Sequence, residues 1–269
     1  MGRWPGHSKL SDCGFVRVDG RQIEYQSFDS SRPRQDRPVI VMLHEGLGSV
    51  SMWKDFPGEL AEATGARVVA YSRFGYGRSE RPATPHMALT MHEREALGAL
   101  PRVLQALDIE HPVLFGHSDG ASIALIYAGA RPNGVAGVIA LAPHAFVEDM
   151  CVASIERARK SYLQTDLPQK LARYHEDPDY AFWLWNNVWL DPAFRAWNIE
   201  PHLSSITCPV LAIQGYDDEY GTMDQLERLA RCAPQTELLK LDACRHSPHR
   251  DRPREVLGSV ERFIQRLPV

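Results

Sequence analysis

Six short runs of consecutive apolar residues, most of them rich in β-branched side chains, punctuate the chain: RPVIVML (37–43), ARVVAYS (66–72), HPVLFG (111–116), GVAGVIAL (134–141), CPVLAIQG (208–215) and TELLKL (236–241). None alternates apolar with polar, so each predicts a strand buried on both faces, as in a parallel sheet covered by helices. Helical patterns lie between them. DFPGELAEATG opens with a proline and closes with a glycine, GASIALIYAGA follows Ser118, and MDQLERLARCA and PREVLGSVERFIQRL follow the last two runs. MHEREALGALPRVLQALDI also has helical period, and Pro101 inside it predicts a kink or break. Strands and helices in this alternation predict a doubly wound, mostly parallel α/β sheet.

Two segments depart from the rhythm. FVRVDGRQIEYQSF alternates on both sides of Asp19-Gly20, which predicts an N-terminal antiparallel hairpin closed by a tight turn. Residues 143–206 contain no buried strand; they are helical in pattern and carry Trp183, Trp185, Trp189 and Trp197. This segment is expected to be a helical insertion over the C-terminal edge of the sheet. The core domain is then 1–142 with 207–269, and the cap is 143–206. Most of the tryptophans are expected to pack the insertion, with a minority lining a pocket.

The sharpest chemical signal is Gly116-His117-Ser118-Asp119-Gly120, a G-x-S-x-G motif with an apolar strand before it and an apolar helix after it. The motif needs that context. A serine on a cramped strand-to-helix turn requires tiny neighbours two positions to either side, and the turn lifts Oγ clear of the sheet. The alternative is an ordinary glycine-rich turn with an inert serine. A hydroxyl becomes nucleophilic only when a base takes its proton. In this topology an acid follows a later strand and the base comes last. Tyr216-Asp217-Asp218-Glu219 follows CPVLAIQG, and Arg245-His246-Ser247-Pro248-His249 follows TELLKLDAC, so the order Ser118, Asp218, His246 is available.

From about Phe15 to the C-terminus the chain resembles an α/β-hydrolase of the subgroup with a helical cap. The motifs that carry the resemblance are LHEGLGS, YSRFGYGRS, GHSDG, QGYDDEYGT and CRHSPHRDRP. The resemblance implies a serine hydrolase with Ser118 as nucleophile, His246 as base and Asp218 as the acid at the last position of G-x-x-D. Asp217 is the alternative acid and His249 the alternative base; His249 otherwise reads as a solvated or helix-capping residue. Arg245 stands where relatives often have glycine. One oxyanion donor is expected from the N–H of Asp119, and the resemblance places the other at Gly46. His117 is expected to pack beneath the turn, and His44 to be a core histidine bonded to backbone. Arg73, Arg78 and Ser79 are expected to brace the site as a structural turn. The Asp119 side chain is expected to do no more than favour a helix start, by about 0.3–1 kcal/mol.

Glu45 is the clearest departure, because many relatives have His-Gly where this chain has His44-Glu45. Three readings compete: an ion pair, for example with an arginine of the 73–78 loop; backbone hydrogen bonds that stiffen the turn; or a carboxylate facing the pocket. A carboxylate beside the oxyanion would oppose the charge that must form. Glu45 is therefore expected to turn away from Ser118, toward a donor or cation.

The expected reaction is cleavage of a small or medium carboxylic ester through an acyl-enzyme. Cleavage of a C–C bond in a dienol-type diketone, and of lactones or thioesters, are the alternatives, and a binding receptor on the same fold is the non-enzymatic one. Alkyl-enzyme opening of haloalkanes or epoxides needs an aspartate in place of Ser118. The net charge of −4 offers no footprint for nucleic acid. No stretch is apolar enough to span a bilayer, and Met1–Leu10 lacks the apolar core of a signal peptide, so a cytoplasmic protein acting on a small molecule is expected. No histidine or cysteine grouping has metal-ligand spacing, and no metal or other cofactor is implied. Monomer and homodimer both stay open. The five cysteines, widely spaced and odd in number, are expected to be small packing residues.

Overall fold

The structure is a computed structural model that describes residues 9–82 and 89–268. Eight strands form one sheet: β1 (Lys9–Val18), β2 (Arg21–Asp29), β3 (Ile40–Leu43), β4 (Val68–Tyr71), β5 (Val113–His117), β6 (Gly137–Leu141), β7 (Val210–Gly215) and β8 (Thr236–Leu241). Their order across the sheet is β1-β2-β4-β3-β5-β6-β7-β8. The first two pairings, β1 with β2 and β2 with β4, are antiparallel, and every other neighbour is parallel. The hairpin between β1 and β2 turns on Asp19 (φ 52°) and Gly20 (φ 76°), both left-handed as a primed turn demands.

Strands β3 to β7 are buried along their whole length, as continuous apolar runs predict. Removing a Val, Leu or Ile side chain from water contributes about 1.5–3 kcal/mol, which is what makes such runs into a sheet interior. TELLKL is the exception. It forms the edge strand β8, where Glu237 and Leu238 are exposed, so burial on both faces does not hold there. An edge strand has one neighbour only, and charged residues on it discourage pairing with a second chain.

Helices cover both faces. Phe56–Thr64 and Pro253–Gln265 pack on one, against Phe115 and Ile139. Asp119–Ala130 packs on the other with the 91–106 helix and the Asp224–Cys232 helix. Pro101 does not break its helix. The turn before it, Glu95–Ala99, is wound as a π-helix between Met91–Arg94 and Leu100–Ala106, which accommodates a residue that cannot donate to the ladder. Between β6 and β7 the chain runs through Asp149–Gln164, Leu167–Leu171, Pro178–Trp189 and shorter turns, without a strand in that stretch. Cys151, Cys208 and Cys244 are buried, but Cys13 is exposed on β1 and so is not a packing residue. Among the described residues no helix is long and apolar enough to cross a membrane.

The chain steps outward from β3 to β4 and then crosses back to β5 on the other side of β3. This reversal is a topological switch point. In open α/β sheets, ligands bind in the crevice beyond the strand C-termini there. The segments leaving β3 and β5 begin with His44 and Ser118.

Candidate active site

Ser118 stands between β5 and the helix Asp119–Ala130 with φ 54° and ψ −119°. Non-glycine residues rarely adopt that backbone, and it costs on the order of 1–3 kcal/mol. The neighbours hold it in place. A Cβ on Gly116 would lie 2.3 Å from the Gly120 carbonyl oxygen, and one on Gly120 would lie 2.1 Å from that of Leu43. Only hydrogen fits at either position, so the sharp turn rests on both glycines. Ser118 N–H donates to the Leu141 carbonyl (2.9 Å), which ties the turn to β6.

The turn presents Ser118 Oγ 2.9 Å from His246 Nε2. On the far side of that ring, Nδ1 lies 2.8 Å from Asp218 Oδ1. Asp218 also accepts from Tyr220 N–H at 2.8 Å and from Gln214 Nε2 at 3.2 Å, so its carboxylate cannot swing away. Burial disfavours the charge on Asp218, but His246 outweighs it and the carboxyl lies below its ordinary range. Burial likewise disfavours protonated His246, and the Asp218 and Glu219 carboxylates overcome it and raise its pKa. Asp217 is exposed and Asp218 is buried. His249 is neither solvated nor capping: it is buried against Trp53 (5.0 Å) and Phe56 (5.4 Å), with its pKa pushed far down by that burial.

These groups open on a cavity of about 200 Å³, lined also by Glu45, Gly46, Asp119, Trp185 and Trp189. Trp185 and Trp189 are thus the two tryptophans of the 143–206 segment on its wall, while Trp197 stacks with Phe194 and lies tilted against His92 at 4.7 Å. Trp185 lies across the loop after β3, where a Cβ on Gly46 would sit 2.2 Å from its Nε1. Asp119 opens its helix, so its N–H is among the first four, which have no intrahelical acceptor. A larger hollow of about 650 Å³ among Asp19, Phe74, Glu95 and Arg102 contains none of these residues.

The remaining expected residues are placed as follows. His44 is fully buried; its Nδ1 lies 2.7 Å from the Glu45 carbonyl and its Nε2 accepts from Arg73 N–H at 3.0 Å. Burial and the nearby Arg73 push its pKa down to about 3, so it is the neutral ring. Arg73 is buried and donates from Nη2 to the Glu45 carbonyl (3.1 Å). Arg78 pairs with Glu24 at 3.0 Å, and Ser79 Oγ donates to the Ser72 carbonyl at 2.6 Å. The Glu45 carboxylate does not pair with that arginine loop: Oε2 lies 3.5 Å from His117 Nδ1, and Oε1 lies 4.0 Å from Arg250 Nη2. From that loop Glu45 receives a hydrogen bond at its carbonyl, from Arg73 Nη2.

Asp119 does more than favour a helix start. It is 1% exposed, its Oδ1 accepts from Trp189 Nε1 at 3.2 Å, and His92 Nε2 lies 3.1 Å away. Burial opposes its charge, but His92 and Arg73 outweigh that and lower its pKa to about 2. His144 is a wall residue that the sequence did not single out. Its carbonyl and N–H both bond Ser122 Oγ, and its ring lies 5.8 Å from that of His246. Burial and His246 push its pKa down to about 4. The available signal was its position just past a buried strand, where α/β sheets place ligand-contacting residues.

A serine hydroxyl, an imidazole and a carboxylate in hydrogen-bonded series can generate an oxygen nucleophile at neutral pH. Residues 38–184, more than half of the chain, match the family model described as the alpha/beta hydrolase fold. A proline iminopeptidase of Heyndrickxia coagulans is 24% identical over 94% of this chain and 99% of its own length. An sn-1-specific diacylglycerol lipase of Danio rerio is 23% identical over 90% of this chain and 82% of its own. Among solved structures, the enol-lactonase from Burkholderia xenovorans LB400 superposes with a TM-score of 0.73 at 22% identity, covering 94% of this chain and 100% of that one. With the sheet order, the strained serine turn and the family match together, the chain is a hydrolase of the α/β hydrolase fold family.

Proposed function

We propose that the protein hydrolyses small or medium carboxylic esters through an acyl-enzyme on Ser118. The observation that carries this is the series Ser118 Oγ to His246 Nε2 (2.9 Å) and His246 Nδ1 to Asp218 Oδ1 (2.8 Å), at the mouth of a helix N-terminus. His246 takes the Ser118 proton as Oγ bonds to the acyl carbon. The carbonyl oxygen becomes negative and is met by the N–H groups of Gly46 and Asp119. The C–O bond to the leaving group breaks as His246 returns the proton to it. A water then repeats the sequence on the acyl-enzyme, and the carboxylic acid leaves. Asp218 holds the imidazole in its working tautomer and stabilises the imidazolium.

The size of the cavity, about 200 Å³, supports a short acyl group, since pockets for drug-sized ligands run to about 300–1,000 Å³. Relatives named as a lipase and as a lactonase are in keeping with acyl transfer to water. The region 143–206 acts as a cap in this account, with Trp185 and Trp189 covering the bound acyl group. Turnover of p-nitrophenyl esters of graded chain length tests the proposal. The expected optimum is at two to four acyl carbons, about what this space admits. Ser118→Ala should abolish turnover with the fold intact. Near-full ester hydrolysis by Ser118→Ala overturns the assignment.

A further inference from the structure

His144 is a buried titratable group that the proposed reaction does not use. It stands just past β6, and the chain is pinned on both sides of it. Ala142 adopts a left-handed backbone (φ 46°) and donates its N–H to the Ile213 carbonyl at 2.7 Å. Ala145 N–H donates to Gln225 Oε1, also at 2.7 Å. Between them, one hydroxyl clamps His144 itself: Ser122 Oγ donates to its carbonyl at 2.8 Å and accepts its N–H at 3.1 Å. Ser122 lies on the helix that follows the nucleophile, one turn after Ser118. Strained backbone such as that of Ala142 persists where the surroundings over-determine it, and it clusters at functional sites.

The His144 ring is on the wall of the catalytic cavity, edge-on to Trp189 at 5.0 Å and 5.8 Å from the ring of His246. Its Nδ1 is enclosed, with no hydrogen-bond partner among the described residues. Nε2 is then the nitrogen that the cavity can reach. The ring is neutral, because burial and His246 outweigh the opposing pull of the Asp218 and Asp119 carboxylates. A neutral imidazole carries a proton on one nitrogen only. An enclosed N–H without an acceptor forfeits the hydrogen bond that water gave it in the unfolded chain, whereas at Nε2 the same proton meets whatever fills the cavity. The proton therefore belongs on Nε2.

We infer that His144 is a specificity-determining residue: its Nε2–H donates to an oxygen on the acyl chain, so that the preferred substrates are esters of short acids bearing an ether, hydroxyl or keto oxygen, over their plain alkyl counterparts. The inference rests on the ester reading above, in which Trp185 and Trp189 cover the acyl group, and His144 shares its wall with Trp189. Other parts of the lining do not serve such an oxygen. Leu47 and Ile155 offer it nothing, and the carboxylates of Glu45 and Glu219 can only accept. An alkyl chain laid against His144 leaves a buried donor unpaired, and a site with an unpaired polar group rejects the analogue that leaves it so.

p-Nitrophenyl butyrate and p-nitrophenyl methoxyacetate test this, because they have equal chain length and differ by a methylene in the first and an ether oxygen in the second. p-Nitrophenyl pentanoate and 3-methoxypropanoate repeat the comparison with the oxygen one atom further out. The ratio of kcat/KM within each pair is read in the wild type, His144→Leu and His144→Gln; intrinsic reactivity cancels when one ratio is compared between proteins. In at least one pair the advantage of the oxygen-bearing ester is expected to fall at least about tenfold in His144→Leu. It should return to within about threefold of wild type in His144→Gln, whose amide can donate in place of Nε2. Ratios that His144→Leu leaves unchanged in both pairs overturn the inference, as does a loss that His144→Gln does not restore. Nitrogen-15 histidine spectra of the wild type need no variant: a neutral His144 with its proton on Nε2 is expected, and a proton on Nδ1 overturns the inference. The two readings fail separately. If Ser118→Ala keeps its ester activity, the ester reading falls whatever the ratios show; if Ser118→Ala is inactive and the ratios ignore position 144, this inference alone falls.

Discussion

Gly46→Ala probes the proposed oxyanion hole at its most crowded point. The added Cβ would lie 2.2 Å from Trp185 Nε1 and 2.3 Å from its Cδ1. Carbon atoms pack at about 3.5–4.0 Å, so the indole or the loop must shift by roughly 1.3 Å. Trp185 is poorly placed to yield: it is buried and stands edge-on to Phe182 at 5.9 Å. The loop therefore moves, and with it the Gly46 N–H. Loss of one oxyanion donor lowers kcat about 10²–10³-fold, and a misplacement of about 1 Å can cost 10²-fold by itself. The assay is kcat and KM on p-nitrophenyl acetate, with thermal melting as a check on the fold. We expect kcat to fall at least about a hundredfold, while overpacking lowers stability by about 1–3 kcal/mol. Trp185→Ala in the same chain removes the obstacle and should return at least tenfold of the lost rate. Gly46→Ala with kcat within threefold of wild type would refute the reasoning, for either the donor is elsewhere or the indole does not press on it.

Asp218→Asn keeps its shape and loses its charge; kcat should fall by about 10⁴, the scale for the wrong histidine tautomer in such a series. In the wild type, kcat/KM should fall as pH drops and His246 takes up its proton, with a midpoint above the ordinary histidine value because Asp218 and Glu219 raise it. Asp119 gives an acid-stability prediction. Its folded pKa, about 2, lies below the unfolded value, so it stabilises the fold above about pH 4, and that contribution disappears as pH falls toward 2. Melting curves across that window should show a loss of about 2 kcal/mol that Asp119→Asn does not show.

Much of the fold is legible in the sequence because its signals are local. Asp19-Gly20 specifies its own turn, and the continuous apolar runs specify buried parallel strands. TELLKL misleads because edge or interior position depends on strand order, which no six-residue window contains. Pro101 was legible as an irregularity but not in its form: a π-turn before it, and not a break, absorbs the missing donor. In the site, the residues that the fold brings together along the first hydrogen-bonded series were readable from chain order after successive strands. The contacts of Asp119 with His92, and of Glu45 with His117, were not. Each joins residues far apart in sequence through buried charge, and only the packed sheet decides which groups share that interior. The same holds for Arg73: an arginine of its loop was one expected partner of the Glu45 carboxylate, and Arg73 instead donates to the Glu45 carbonyl.

The most direct measurement of the central claim is covalent labelling by a fluorophosphonate, followed by mass spectrometry of the digested protein. The account predicts one phosphonyl group per chain, on the peptide containing Ser118, absent from Ser118→Ala and slowed in Asp218→Asn. A folded protein that takes up no label, or carries it on a different residue, would contradict it.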